Sequence, residues 1–331
     1  MSETRAFRSG GALFLVGVGP GHTDHVTPAA QRAIADAEVV LGYRTYIELI
    51  GPLLDRQEVI ATGMTEEIAR AKVAIDRSQA GQRVAVICSG DAGVYGMASL
   101  VFERLQEAGW RRGEAPEVTV VPGVTALSAC AALVGAPLGH DFCSISMSDL
   151  LTPWRVIAGR LEAAAQADFV IVLYNPASHQ RTQGIAEARE ILLRHRSPDT
   201  PVALVKSAFR PAEEVLVSDL EHFLEHPIGM LTTVLIGSSQ TRAFDGYLVT
   251  PRGYALKYDG DGSILPGQGR ARPLVELAGA EPAEVPVHPR APREHETRGA
   301  ELRSSLGPQG ASGRLAKPPG SLLERSEGVS P

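Results

Sequence analysis

The chain has 331 residues, of which 44% are hydrophobic and 21% are charged, and its formal net charge is −6. This composition is typical of a globular protein that buries a sizeable core, and the length allows two domains. No stretch reaches the roughly 18 uninterrupted apolar residues of a membrane span, and the first residues contain no apolar signal segment. An acidic chain without a basic stripe repels the phosphate backbone, which argues against nucleic-acid binding. We therefore expect a cytoplasmic protein that binds neither membrane nor nucleic acid.

Short apolar runs alternate with amphipathic segments over the first 250 residues. Thr27-Pro28 and the segment Thr65-Glu66-Glu67 are typical helix starts. The alternation of strands and helices predicts an α/β fold with largely parallel sheets, in which ligands bind beyond the carboxyl ends of the strands. The predicted strands are 12–18, 37–41, 83–88, 117–121, 168–174, 201–206 and 231–237.

The composition changes near residue 256. Residues 256–331 contain 10 of the 23 prolines, a single aromatic residue, ten basic and ten acidic residues, so the preceding part carries the whole charge of −6. A segment rich in Pro, Gly, Arg and Glu without apolar periodicity buries too little surface to offset its ordering entropy. We expect residues 256–331 to form a disordered tail.

Glycine-rich corners follow three of the predicted strands, at residues 17–21, 89–93 and 122–123. Glycine permits positive φ and lets the backbone approach a ligand closely, although any single corner is also explained by ordinary turn chemistry. Their occurrence at three strand ends indicates a ligand site. The segment GVGPG is not G-x-G-x-x-G, and no GxxxxGK[ST] is present, so we do not predict a dinucleotide or ATP site.

Several motifs stand in the order found in the tetrapyrrole methylases, a family that the chain resembles over about residues 12–252. These motifs are GVGPG (17–21), CSGDAGVYGMA (88–98), PGVTA (122–126) and LYNP (173–176). Four segments resemble the precorrin-3B C17-methyltransferase branch within that family: GYRTY (42–46), SGDAGVYGM (89–97), SMSDLLTPW (146–154) and MLTTVLIGSSQT (230–241). One departure is His22, where many relatives have Asp or Ser.

The resemblance implies a class III methyltransferase fold with two α/β domains and an active-site cleft between them. The N-terminal domain would span residues 11–125 with a mostly parallel sheet, and the C-terminal domain residues 126–253 with a mixed sheet. The implied function is S-adenosylmethionine-dependent methylation of precorrin-3B at carbon 17, with ring contraction to precorrin-4 in cobalamin biosynthesis. The resemblance also implies a homodimer.

The family motifs assign a set of residues to the methyl donor. For Asp91 a helix N-cap is the competing interpretation, and for Thr125 an ordinary hydroxyl at a helix start. The residues assigned to S-adenosylmethionine are Gly19, Pro20, Gly90, Asp91, Val94, Thr125, Ala126, Asn175 and Thr232.

Methyl transfer to carbon requires alignment of donor and acceptor and no covalent nucleophile. Ring contraction requires proton transfer at a substrate oxygen, and the candidate carriers are His22, Asp91, Tyr95 and Asp149. Tyr95 is equally explained by ring packing, and Asp149 by capping a helix that starts at Thr152-Pro153.

The carboxylates on the periphery of a tetrapyrrole favour basic side chains near the site, and the candidates are Arg44, Lys206 and Arg210. For a single Arg or Lys, a solvated surface position is the alternative. His140, His179 and His195 lack metal-ligand spacing, so we predict no metal site, and any cobalt would belong to the substrate.

Several alternatives stay open at this stage. The enzyme could act on cobalt-factor III in the anaerobic route, or on another ring carbon as a different tetrapyrrole methylase. The fold also serves RNA and protein modifiers, and a noncatalytic binding module would share it too. We favour the metal-free substrate because the chain has no cysteine-rich or histidine-rich extension.

Overall fold

The computed structural model describes residues 11–178 and 181–268. Residues 11–257 form one compact unit, and residues 258–268 belong to a second, in which Tyr258 and Ile264 form an isolated antiparallel bridge. Most of the predicted tail, residues 269–331, lies outside the described residues, so its disorder stays a prediction. In the described part of the chain, we find no helix of the length and apolarity needed to cross a membrane.

The first sheet has five strands, all parallel, in the order β3-β2-β4-β1-β5. Successive side chains of the strand formed by residues 12–17 contact opposite layers of helices, because Phe14 and Val16 pack in one hydrophobic cluster and Leu13 and Leu15 in another. The strands are β1 (Ala12–Gly17), β2 (Val39–Tyr43), β3 (Glu58–Thr62), β4 (Arg83–Cys88) and β5 (Glu117–Val121).

Four α-helices lie between or beside these strands: α1 (Pro28–Asp36), α2 (Arg44–Leu49), α3 (Glu67–Gln79) and α4 (Ala98–Glu107). The predicted start of α1 is confirmed, because Pro28 is its first residue and the Thr27 hydroxyl accepts the Ala30 N–H at 3.1 Å. Thr65 does not cap α3. It lies in a turn with φ +67°, and the helix follows Glu66.

The second sheet has five strands in the order β10-β9-β11-β8-β7 and is mixed, because only β7 and β8 pair in parallel. Its strands are β7 (Phe142–Ser146), β8 (Val170–Tyr174), β9 (Pro201–Lys206), β10 (Glu214–Asp219) and β11 (Thr232–Ile236). Strand β11 runs antiparallel to both β8 and β9, so the beginning of β11 lies next to the ends of β8 and β9. The adjoining helices are α5 (Ala126–Leu133), α6 (Trp154–Gln166) and α7 (Gln183–Leu193).

A small three-stranded sheet has the order β12-β13-β6. It consists of β6 (Gly135–Ala136), β12 (Arg242–Phe244) and β13 (Tyr247–Val249). Single-turn 3-10 helices occur at Thr23–His25, Gly51–Leu53, Phe223–Glu225 and Tyr254–Leu256.

The predicted α/β class, with a parallel first sheet and a mixed second sheet, is confirmed. The predicted boundary between residues 125 and 126 coincides with the start of α5, which separates the strands of the two large sheets. Because residues 11–257 pack as one compact unit, the division into two domains stays a prediction.

Candidate functional site

An open pocket of about 190 Å³ lies between the carboxyl ends of the first sheet and the side of the second sheet at which β8 and β9 end and β11 begins. Its walls come from the loops that follow β1, β4 and β5, from helices α2 and α5, and from the second sheet at the ends of β8 and β9 and the start of β11. It is lined by Pro20, Tyr46, Ser89, Gly90, Asp91, Val94, Tyr95, Thr125, Ala126, Cys130, Tyr174, Asn175, Val205, Ser207, Ala208, Arg210, Met230, Leu231, Thr232 and Thr233.

The three predicted glycine corners contact one another beside the pocket. A Cβ on Gly123 would lie 2.1 Å from the Gly90 carbonyl oxygen, and a Cβ on Gly17 would lie 2.7 Å from the same atom. Gly90 has φ +67° and exchanges backbone hydrogen bonds with Gly19, at 3.0 and 2.7 Å. Gly17 and Gly123 are therefore required by loop packing, whereas Gly90 lines the pocket itself and Gly19 supports it.

Asp91 fastens two of these loops together. Its Oδ1 accepts the Gly93 N–H at 2.8 Å, and its Oδ2 accepts the Gly123 N–H at 2.9 Å. The following helix α4 begins only at Ala98, so Asp91 does not cap it. The carboxylate holds the loop after β4 against the loop after β5, and in this way shapes the pocket wall.

Tyr174, at the end of β8, connects the second sheet to the start of α5. Its hydroxyl lies 2.6 Å from the Thr125 Oγ1 and accepts the Leu127 N–H at 2.7 Å. The Tyr95 ring packs on the Tyr174 ring with a centroid distance of 4.9 Å, and the Tyr95 hydroxyl donates to the Ser144 Oγ at 3.3 Å. Burial raises the pKa of Tyr174, so its hydroxyl stays protonated near neutral pH.

Asn175 and Thr232 reach the pocket from the second sheet. Asn175 has φ +51°, and its Nδ2 donates to the Ser146 Oγ at 3.2 Å. The Thr232 hydroxyl accepts the Gly229 N–H at 3.2 Å, which fixes the turn before β11. Both side chains are therefore held by local hydrogen bonds at the pocket wall.

Arg210 is the cation of the pocket lining. Its Nε donates to the Pro20 carbonyl at 2.7 Å, and its Nη2 donates to the Ser89 Oγ at 3.0 Å. Burial lowers the pKa of this guanidinium, and among the described residues no carboxylate lies within ion-pair distance of it. An anionic group of a ligand would compensate this charge.

Besides Gly19, which lies behind Gly90, four predicted site residues do not line the pocket, and two of them are the proton carriers His22 and Asp149. The exposed His22 Nδ1 accepts the Asp24 N–H at 3.3 Å, which caps a single helical turn. Asp149 is exposed and forms an ion pair with Arg181 at 3.5 Å. Its alternative role as a helix cap is not observed either, because α6 begins at Trp154 without a side-chain cap.

The other two are the basic residues Arg44 and Lys206. Arg44 is exposed on the first turn of α2. Lys206 lies between two lining residues of β9 and its loop, Val205 and Ser207, and its Nζ forms an ion pair with Glu214 on the neighbouring strand at 3.0 Å. Since side chains alternate along a strand, Lys206 is directed away from the pocket.

Ten lining residues are absent from the sequence-based assignment. Six lie within the quoted motifs, so the motifs contained a signal for them: Tyr46, Ser89, Tyr174, Met230, Leu231 and Thr233. The others, Cys130, Val205, Ser207 and Ala208, are small or apolar residues with no distinguishing pattern. Burial raises the pKa of Cys130 to about 11, so the thiol stays neutral and is a poor nucleophile.

Within residues 11–178 and 181–268, no three His, Cys, Asp or Glu side chains are grouped in a way that could hold a metal ion. His179 lies outside the described residues. The pocket instead offers hydroxyl and amide groups, backbone polar groups and one guanidinium, beside apolar walls. This arrangement suits the binding and alignment of polar organic ligands.

A family model described as tetrapyrrole (corrin/porphyrin) methylases matches residues 12–224. A cobalt-factor III methyltransferase of Priestia megaterium is 55% identical over 75% of this chain, but the match covers only 46% of that relative. A probable cobalt-factor III C(17)-methyltransferase of Salmonella typhimurium is 46% identical over 74% of this chain and 100% of its own length. A precorrin-3B C(17)-methyltransferase of a Sinorhizobium species is 42% identical, over 74% and 98% of the two chains.

Two solved structures agree with this fold. The crystal structure of the methyltransferase CobJ has a TM-score of 0.66 and 35% identity, and the match covers 73% of this chain and 100% of that one. The uroporphyrin-III C-methyltransferase of Thermus thermophilus, in complex with S-adenyl homocysteine, has a TM-score of 0.55 and 26% identity, over 69% and 97% of the two chains.

Proposed function

Since the chain belongs to the tetrapyrrole (corrin/porphyrin) methylase family, we propose that it methylates carbon 17 of a corrin precursor in cobalamin biosynthesis, with contraction of the ring. The observation that carries this proposal is the identity of 46% over the full length of the Salmonella relative, whose name specifies carbon 17. The Sinorhizobium relative supports the same carbon at 42% identity.

Two forms of the substrate are candidates. The Sinorhizobium relative supports metal-free precorrin-3B, which would give precorrin-4. The relatives named for cobalt-factor III are more similar to this chain, at 55% and 46% identity, and they support the cobalt-containing form. In that case the cobalt is part of the substrate.

We propose S-adenosylmethionine as the methyl donor, which supplies an electrophilic methyl group on a sulfonium. The pocket suits this molecule because its backbone corners approach a ligand closely, and its hydroxyls and amide match an amino acid group, a ribose and a base. The complex of the Thermus relative with S-adenyl homocysteine supports this donor. The residues that would hold it are Pro20, Gly90, Val94, Thr125, Ala126, Asn175 and Thr232, with Gly19 behind Gly90.

The side chains of the pocket would act mainly by alignment. Water exclusion and a near-attack arrangement of the donor methyl group and the acceptor carbon lower the activation barrier of such reactions by several kcal/mol. Arg210 is the proposed partner of an acceptor carboxylate, since Arg44 does not line the pocket and Lys206 is paired with Glu214. Of the candidate proton carriers, Asp91 and Tyr95 line the pocket and stay the proposals for ring contraction.

The proposed function is tested by mass spectrometry after the chain is incubated with S-adenosylmethionine and one tetrapyrrole at a time. We expect one added methyl group on precorrin-3B or cobalt-factor III. The compound that is methylated faster is the substrate. Uroporphyrinogen III is the matched control and should gain none. Methylation of neither corrin precursor would contradict the proposal, and methylation of uroporphyrinogen III would support a different methylase.

Asp91→Asn should weaken binding of S-adenosylhomocysteine about ten-fold, because an amide cannot accept both backbone N–H groups and one of the two bonds that hold the loops together is lost. Calorimetric titration measures this affinity. Asp55→Asn, at an exposed position beside Arg56, is the matched control and should bind like the parent chain. An unchanged affinity in Asp91→Asn would refute the role of this carboxylate in shaping the site.

A homodimer and a cytoplasmic location, which the resemblance and the composition predict, stay proposals. Sedimentation analysis of the purified chain measures the oligomeric state. Cell fractionation of the source organism measures the location.

A further inference from the structure

The N-terminus of helix α5 is capped in an unusual way. The residue before the helix is Thr125, and a threonine at this position commonly accepts the N–H of the second or third helical residue. The Thr125 hydroxyl makes no such bond. The N–H of the second residue, Leu127, donates instead to the hydroxyl of Tyr174, which lies at the end of β8. The helix is therefore capped by a side chain of the opposite sheet.

This arrangement leaves one hydroxyl proton free for a ligand. The Tyr174 oxygen uses one lone pair for the Leu127 N–H, and it shares one hydrogen bond of 2.6 Å with the Thr125 Oγ1. If Tyr174 donates in that bond, the Thr125 proton is not used. If Thr125 donates, the Tyr174 proton is not used. Both residues line the pocket, so either arrangement presents a donor to its interior.

The position of the Tyr174 ring is also restrained. The Tyr95 ring packs against it at a centroid distance of 4.9 Å. Tyr95 has φ +53°, an uncommon conformation for a residue with a bulky side chain, and its hydroxyl is bonded to Ser144 on β7. Such an uncommon conformation persists when the surrounding structure holds it, and it is often found at functional sites.

We propose that Tyr174 is a positioning residue, which caps α5 in place of Thr125 and thereby directs the Thr125 hydroxyl to an oxygen or nitrogen acceptor of the bound methyl donor. This inference rests on the proposed function, because it names S-adenosylmethionine or its product as the ligand. It predicts that the two hydroxyls act as one unit.

A double-mutant cycle with S-adenosylhomocysteine as the calorimetric ligand tests this proposal. Tyr174→Phe keeps the ring and removes its hydroxyl, and Thr125→Val keeps the shape and removes the other hydroxyl. We expect each single change to weaken the affinity about ten-fold and the double change to weaken it little further, because both remove the same hydrogen bond to the ligand. Thr125→Ser, which keeps the hydroxyl, should bind close to the parent chain.

Two further readouts distinguish positioning from a general structural defect. In the steady state, Tyr174→Phe should raise the KM for the donor and leave the KM for the tetrapyrrole unchanged. Tyr247→Phe, at an exposed position on β13, is the matched control and should change neither. Thermal unfolding of each variant shows that the measured protein is folded.

The outcomes separate this proposal from the proposed function. If the parent chain binds the ligand and the two changes are additive, or Tyr174→Phe binds like the parent, the positioning role is overturned and the methyltransferase function is untouched. If the parent chain fails to bind S-adenosylhomocysteine, both proposals are overturned.

Discussion

Gly123→Ala should weaken the binding of S-adenosylhomocysteine by about 100-fold, or abolish it. The added Cβ would lie 2.1 Å from the Gly90 carbonyl oxygen and 2.6 Å from the Gly17 carbonyl oxygen, and both are backbone atoms that cannot rotate away. The loops after β1, β4 and β5 would have to separate, which moves Gly90 and the Asp91 carboxylate out of the pocket wall. Overpacking of this kind typically costs about 1–3 kcal/mol of unfolding free energy. Calorimetry measures the affinity, and urea unfolding measures the stability.

Two matched Gly→Ala changes separate affinity from stability. Gly159 lies within α6 with no heavy atom within 4 Å of an added Cβ, and its replacement should stabilise the chain by about 0.5–1 kcal/mol. Gly11 lies before β1, and its Cβ would lie 1.8 Å from the Ser78 carbonyl oxygen. Gly11→Ala should therefore lower the stability and leave the affinity of the folded protein near that of the parent. A Gly123→Ala chain that binds like the parent would contradict the site as described.

Arg210→Met should lower kcat/KM for the tetrapyrrole by about 100-fold. The change removes the cation of the pocket lining, and it leaves the Pro20 carbonyl and the Ser89 hydroxyl without their partner. Charge-assisted hydrogen bonds are roughly twice as strong as neutral ones. The loss of both the charge and the two bonds to Pro20 and Ser89 accounts for the large decrease in kcat/KM. Steady-state kinetics with the tetrapyrrole varied at saturating donor measures it.

Arg210→Lys keeps the charge and should recover part of the lost activity, since a single ammonium cannot span both protein partners and a carboxylate. Arg32→Met, at an exposed position of α1, is the surface control and should leave the kinetics unchanged. If Arg210→Met raised only the KM for the donor, the assignment of Arg210 to the acceptor would be wrong.

The central strands were predictable because burial on both faces requires continuous apolar runs, as in β1 and β8. In the two large sheets, strands β3, β7 and β10 were missed for the converse reason. All three lie at sheet edges and carry mostly exposed or partly exposed side chains, so their sequences lack such a run. The family membership, predicted from the order of short motifs, is confirmed.

The backbone part of the site was predictable, because glycine at strand ends has a steric cause that is visible in the sequence. Side-chain roles depend on contacts that the sequence does not reveal. The partners Thr125 and Tyr174 are 49 positions apart, and nothing local indicates that one hydroxyl replaces the other as a cap. Lys206 lies at the end of a predicted strand, but the alternation of side chains directs it to Glu214. Asp91 lies where the motif predicts, although the structure assigns its two oxygens to loop closure.

The position of the transferred carbon is the most direct test of the proposed reaction. Donor labelled with ¹³C in its methyl group should give a product whose label is attached to carbon 17 of a contracted ring, as read by carbon NMR of the isolated tetrapyrrole. A label on any other ring carbon, or a labelled product with an uncontracted ring, would contradict the proposed reaction.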